Sequence, residues 1–297
     1  MTLTKRNSSI KAAVIAALFV CALTACGGGL SETPRQEYPG QELSGDGPRR
    51  IVSLDYCADQ YVLKFATRGS ILAISPDATK DFSYMRDAAI GVPTVRPIAE
   101  NVIILKPDLV VRTYGGGPNA TAFFERAGVP VLNVGWTNTI DDVIKNIDRV
   151  ASELGAQREG QAVIAGMRAR LAAFADAGAD ANQKPLALYM TPAGVTTGAG
   201  SLVHEIMAAA GLSNFQEQRG WRSLPLERLA YEQPDLVAAS FFETLTNHPD
   251  AWSPAKHPVA KSQLGGSNVA ALDGAWTACG GWFLLEAVEA LAEAAGR

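Results

Sequence analysis

From residue 49 onward, short apolar runs alternate with stretches of helical periodicity. Residues 50–54, 71–74, 109–113 and 131–134 are near-continuous runs rich in Ile, Leu and Val. They are too short for helices and lack the polar alternation of a half-exposed strand, so they predict strands covered on both faces, as in a parallel sheet flanked by helices. The period then changes. Ile140, Val143, Ile144, Ile147, Val150 and Leu154 recur at helical spacing behind Thr139, a suitable N-cap, and Gly155 ends the helix. A second helix is predicted over about 158–176, with Val163, Ile164, Met167, Leu171 and Phe174 on its apolar side. Strand runs resume at Leu186–Met190, Leu236–Ser240 and Val269–Leu272. The order is an α/β half, a helical link and a second α/β half.

The halves share a repeat. The segment from Glu100 through Pro107-Asp108 to Val111 recurs from Glu227 through Pro234-Asp235 to Ala238, with the glutamate seven residues before the proline in both. Each copy predicts a short amphipathic helix, a turn and a buried strand, and its occurrence at corresponding points of two halves indicates pseudo-duplication.

The first residues read differently. Lys5, Arg6 and Lys11 precede an apolar run from Ala12 to Ala25, the layout of an export signal and too short for a ~20-residue membrane span. Leu23-Thr24-Ala25-Cys26 resembles a lipobox. Residues 1–25 are therefore expected to be a lipoprotein signal peptide, with lipidated Cys26 anchoring the chain to the membrane at the periplasmic face. Residues 26–48, rich in Gly, Pro, Ser and Glu, read as a flexible tether. The expected organisation beyond it is an N-terminal lobe over 49–157, an interlobe helix over 158–178 and a C-terminal lobe over 179–297.

Losing Lys5, Arg6 and Lys11 with the signal leaves 23 cations against 30 acids, a net charge of −7. That balance argues against a nucleic-acid partner. Of four cysteines, Cys57 and Cys279 would remain free in an oxidising compartment, where a disulfide is permitted. A disulfide, a pair of soft metal ligands and two unrelated buried thiols are all open readings. Catalytic patterns are weak. His204-Glu205 lacks the second histidine of a zinc-protease helix, Gly198-Ala199-Gly200 lacks the third glycine of a dinucleotide fingerprint, and neither a Gly-x-Ser-x-Gly elbow nor a P-loop occurs. His204, His248 and His257 are scattered, which favours a chelated metal over a naked ion.

Five segments in order carry a family resemblance: Arg50-Ile51-Val52-Ser53-Leu54, the Glu100 unit, Gly198-Ala199-Gly200-Ser201-Leu202, Ala210-Gly211-Leu212-Ser213-Asn214, and the Glu227 unit. Over residues 50–291 the chain resembles the substrate-binding proteins of ferric-siderophore and cobalamin ABC importers. The resemblance implies an α/β fold of two Rossmann-like lobes joined by a single long interlobe helix, the class III periplasmic binding protein arrangement. It implies a monomer without catalysis or cofactor that holds a metal chelate between the lobes and delivers it to an ABC permease of the inner membrane. It also implies that Glu100 and Glu227, at the positions where the family docks on its permease, are docking groups, and that Trp221 is a cleft aromatic.

Ligands of open parallel sheets sit beyond the strands' carboxyl ends. Those ends carry Tyr56 and Cys57, Tyr114, Trp136, Phe242 and Trp276, and with Trp221 and Arg222 these are the candidate ligand contacts. Arg86, Arg96 and Arg112 are further candidates for an anionic group. The rival readings are a receptor for a free metal ion and a lipid-anchored hydrolase.

Overall fold

The computed structural model describes residues 49–177, 184–241, 252–265 and 268–296. The proposed signal peptide, Cys26, the tether and Phe242 lie outside these residues. The first half contains β1 (Ile51–Ser53), α1 (Tyr56–Phe65), β2 (Ile71–Ala73), α2 (Ala99–Ile103), β3 (Leu109–Arg112), α3 (Ala120–Arg126) and β4 (Val131–Asn133). Two helices follow, α4 (Ile140–Glu153) and α5 (Gln157–Ala177). The second half contains β5 (Leu186–Met190), β6 (Val195–Thr197), α6 (Leu202–Ala209), β7 (Ser213–Asn214), β8 (Trp221–Ser223), α7 (Leu226–Leu229) and β9 (Leu236–Ser240). It closes with α8 (Pro258–Leu264), β10 (Val269–Leu272), α9 (Gly274–Thr277) and α10 (Leu284–Ala294).

Each half builds a four-stranded parallel sheet, in the order β2-β1-β3-β4 and β7-β5-β9-β10. The two orders are the same, which gives the sequence repeat its three-dimensional counterpart. Every residue of β1, β3 and β9 is buried, as the continuous apolar runs require. In this order the chain reverses its direction of travel between β1 and β3, and again between β5 and β9. A crevice opens at such a switch point, beyond the carboxyl ends of the strands.

The repeated aspartates set the register at the opposite ends. Asp108 accepts the backbone N–H groups of Arg49 and Arg50 at 3.1 and 3.0 Å, while its own N–H donates to the Arg50 carbonyl at 2.9 Å. Asp235 does the same work in the second half, accepting the Leu186 N–H at 2.7 Å and donating to the Leu186 carbonyl at 2.8 Å. Each aspartate thereby aligns its strand on the first strand of its sheet, Leu109 opposite Ile51 and Leu236 opposite Ala187.

The helical link forms as the sequence predicts. Thr139 caps α4 by accepting the Asp142 N–H at 3.0 Å, and the Asp142 carboxylate accepts the Thr139 N–H at 3.2 Å, a reciprocal capping box. The 21-residue α5 is about 30 Å long at ~1.5 Å per residue. It packs tightly on α4 because Gly160 has no side chain: a Cβ there would lie 2.5 Å from that of Ala151. Ile164 and Met167 are buried, and Val163, Leu171 and Phe174 pack beside them against the main core. That core runs through both halves, joining Ile51, Tyr61 and Phe65 to Tyr189, Ile206, Leu285 and Val288.

Candidate ligand site between the lobes

The first lobe's switch point is organised by a buried carboxylate. Asp55 caps α1 by accepting the Ala58 N–H at 3.0 Å. Its second oxygen accepts the N–H groups of Thr113, Tyr114 and Gly115 at 2.7, 3.0 and 2.8 Å. One side chain thus ties the loop after β1 to the loop after β3. Gly115 has to be glycine, since a Cβ there would strike the Leu54 carbonyl. Arg112 closes the loop from beneath: its guanidinium donates to the carbonyls of Gly115 and Gly117 at 2.8 and 2.9 Å and to Thr121 Oγ1 at 2.9 Å. Arg112 is buried by this duty, so the structure gives its guanidinium a part in holding the loop.

The frame presents a row of rings. Tyr56 meets Phe82 edge-on at 4.8 Å between centroids and Tyr114 edge-on at 6.1 Å, and Tyr114 stacks on Trp136 at 6.0 Å. Tyr114 is 40% and Trp136 73% exposed, an orientation that core packing does not account for. Burial, with Asp55 and Asp77 nearby, pushes the Tyr56 phenol up from its ordinary value, and burial with Tyr56 and Asp55 does the same to Tyr114. Both phenols are therefore neutral hydrogen-bond donors near neutral pH. Phe82, in the turn-rich stretch after β2, was missed from sequence. Its only signal there is an aromatic residue between Asp81 and Ser83.

In the second lobe, β6 and β8 form an antiparallel ribbon that sets Thr197 opposite Trp221 and Thr196 opposite Arg222. Trp221 is 54% exposed and meets Tyr189 of β5 edge-on at 6.1 Å. Arg222 is exposed, its guanidinium donating only to the Trp221 carbonyl among the described residues. Trp276 is half-buried and packs against the main core, so the structure gives it a packing role as well. Arg96 is exposed.

Residues 273–283, which follow the last strand of the second sheet, are tied to the first half by several contacts. Cys57, following β1, is disulfide-bonded to Cys279, following β10, with Cα atoms 5.5 Å apart. Bonded and buried, Cys57 offers no thiolate to a metal or a ligand in this state. The Tyr61 hydroxyl donates to the Gly280 carbonyl at 2.7 Å, Arg86 pairs with Asp273 at 3.7 Å, and Tyr84 stacks on Phe283 at 4.7 Å. A side chain at Gly280 would strike Thr137. The lobes are therefore joined at a second place besides α5, and Arg86 serves that junction. Among the described residues, no group of three or more His, Cys, Asp or Glu is placed to hold a metal ion.

Glu100 and Glu227 occupy matching places in the two halves. Each is exposed in the first turn of its short helix, α2 or α7, and neither carboxylate has an ion pair or hydrogen bond among the described residues.

Two parallel α/β lobes, spanned by one long helix, define a class of two-lobed binding proteins rather than a catalytic fold. Residues 51–247 match the family described as periplasmic binding protein, and the chain belongs to that family. Its members bind substrates outside the cytoplasm and are not enzymes. A cobalamin-binding protein of Halobacterium salinarum is 26% identical over 196 residues, which cover 64% of this chain and 53% of that relative. The chain therefore spans about half the length of that relative. Among solved structures, the periplasmic heme-binding protein RhuT from Roseiflexus sp. RS-1 is similar with a TM-score of 0.65 and 23% identity, covering 84% of this chain and 100% of that one. The periplasmic vitamin B12-binding protein BtuF of Vibrio cholerae is similar with a TM-score of 0.63 and 21% identity, covering 84% of this chain and 96% of that one. At these identities the structural likeness establishes the class III fold.

Proposed function

We propose that this chain captures a metal chelate, a ferric siderophore or cobalamin, between its lobes and delivers it to the membrane permease of an ABC importer. The observation that carries this reading is the row Phe82, Tyr56, Tyr114 and Trp136 at the first lobe's switch point, in which Tyr56 is the chain neighbour of Cys57, the residue bonded to Cys279 of the second half. Large chelates offer broad, partly apolar faces to such rings, and a wrapped metal requires no ligands from the protein. The neutral phenols of Tyr56 and Tyr114 would donate hydrogen bonds at the chelate's rim, and Arg222 would meet an anionic group. The cobalamin- and heme-binding relatives support the same ligand class.

In this reading residues 1–25 direct export, Cys26 carries the lipid anchor, and Glu100 and Glu227 dock on the permease, one from each lobe. The exposure of both carboxylates at matching points of the repeat supports docking. The test is a tryptophan-fluorescence titration with cyanocobalamin, hemin, a ferric catecholate and a ferric hydroxamate. Saturable quenching by one of them is expected. Saturable quenching by none, with zinc or manganese copurifying stoichiometrically, would overturn the reading in favour of a free-ion receptor. For docking, Glu100→Arg with Glu227→Arg should leave chelate affinity unchanged and abolish uptake.

A further inference from the structure

The repeat carries more than its glutamates. Two residues past each glutamate stands an apolar side chain that the fold buries, Val102 in one copy and Leu229 in the other. Four residues past each glutamate stands a large apolar side chain that the fold leaves in water: Ile104 is 76% and Tyr231 92% exposed. Ile104 caps the carboxyl end of α2, its N–H donating to the Glu100 carbonyl at 3.4 Å, and Tyr231 follows α7 by two residues, its N–H donating to the Arg228 carbonyl at 3.0 Å, so each exposed side chain stands about one turn along the chain from its glutamate. Single exposed apolar residues are ordinary on protein surfaces. The same offset in both copies, beside a glutamate in both and with the folding role already filled by position two, is not accounted for in that way. Ile98, two residues before Glu100, widens the first patch.

We infer that each docking glutamate works together with the apolar side chain one turn away, Ile104 with Glu100 and Tyr231 with Glu227, against a permease surface that offers an apolar pocket beside a cationic side chain at two related places. The inference rests on the reading of the two glutamates as docking groups. Charge complementarity gives the partner its sign. Both carboxylates lack a cation among the described residues, and the cation next to Glu227, Arg228, is held by Glu217 at 3.0 Å and Glu232 at 2.7 Å. An apolar contact beside each carboxylate excludes water from the ion pair and strengthens it, the arrangement found at the centres of strong interfaces. Two copies of one motif on pseudo-equivalent lobes fit a partner built with two-fold symmetry.

The test uses the full chain and its permease, coproduced and held in lipid nanodiscs. Ile104→Ser with Tyr231→Ser is expected to weaken binding to the permease by about tenfold or more, while leaving the thermal midpoint and the titrations with cyanocobalamin and hemin unchanged. Ile104→Leu with Tyr231→Phe should bind normally, which guards against a folding artefact. Unchanged binding by the serine pair, with binding lost in Glu100→Gln with Glu227→Gln, overturns the inference and leaves the docking reading standing. Unchanged binding in both pairs overturns both. Sedimentation showing that the serine pair abolishes a self-association, with permease binding intact, overturns the inference in favour of a second copy of this chain.

Discussion

Asp55 and Tyr114, 59 residues apart in sequence, are joined by the Asp55 carboxylate accepting the Tyr114 backbone N–H at 3.0 Å. The same oxygen holds the amides on either side, and the other oxygen caps α1. A ring offered to solvent is thus aimed by a group with no access to solvent. Asp55→Ala would strand three loop amides and the helix cap. The expected loss is about 3 kcal/mol or more, with chelate affinity falling alongside, and Asp55→Asn should lie between. Urea unfolding of the three proteins checks this; equal midpoints would show that water replaces the carboxylate.

The exposed rings give the opposite separation of effects. Trp136→Ala removes little that is buried, so stability should change by about 0.5 kcal/mol or less, whereas Tyr114→Ala, which removes a ring more than half buried against Tyr56 and Trp136, should cost about 1–2 kcal/mol. Chelate affinity should fall by about 10–100-fold for each. Isothermal titration with the chelate that quenches the wild type measures it. Full affinity in both variants would move the ligand away from this row.

Asp59 provides a pH signature. It is fully buried in α1, and burial pushes its carboxyl up to about 7, against the opposing effect of hydrogen bonds from the Ser75 hydroxyl and amide at 2.5 and 3.2 Å. The folded state therefore holds this proton more tightly than the unfolded chain. Folding stability falls as pH rises from about 4, where the unfolded carboxyl ionises, to about 7, where the folded one does, and changes no further above that. The full effect is on the order of 4 kcal/mol. Asp59→Asn should lose this pH dependence and be relatively more stable at pH 8 than at pH 4. Chemical unfolding at the two pH values decides; parallel changes in wild type and variant would mean that the carboxyl titrates normally.

The bond between Cys57 and Cys279 closes a sequence separation of 222 residues. Cys57→Ser with Cys279→Ser should cost about 2–5 kcal/mol and widen the distribution of lobe separations seen by small-angle scattering. Thiol counting on unreduced, denatured protein should find neither cysteine free.

What could be read from the sequence follows how local the cause is. The strands at Leu186–Met190, Leu236–Ser240 and Val269–Leu272 fall where expected, because their apolar runs are bounded by Pro, Asp or Gly and need no distant partner to be recognised. In the first half β1 and β3 end sooner than the apolar runs, since Leu54 and Thr113 already lead into the loops that Asp55 gathers. The ribbon of β6 and β8 was not foreseen: three residues each are too few to show alternation. The two-residue β7 has no hydrophobic signal and exists because Ser213 lies opposite Leu186. The ligand row was half visible. Tyr56, Tyr114 and Trp136 follow recognisable strands, whereas Phe82 sits in a turn-rich stretch with no period. Least visible was the second junction, because nothing near Trp282 or Gly280 announces Tyr61 as a partner.

That junction also bears on how the molecule is assembled. Tyr61 and Phe65 belong to the first half, yet Trp282 meets their rings at 5.9 and 5.7 Å, so the earlier half completes its interior only when the last tenth of the chain arrives. A cut after α5 would therefore yield two fragments with the same strand order, the first of them with unfinished packing. Duplication set the plan of each half, but the halves ripen together, and the chain should cross a single cooperative barrier late, when residues 274–283 settle into place.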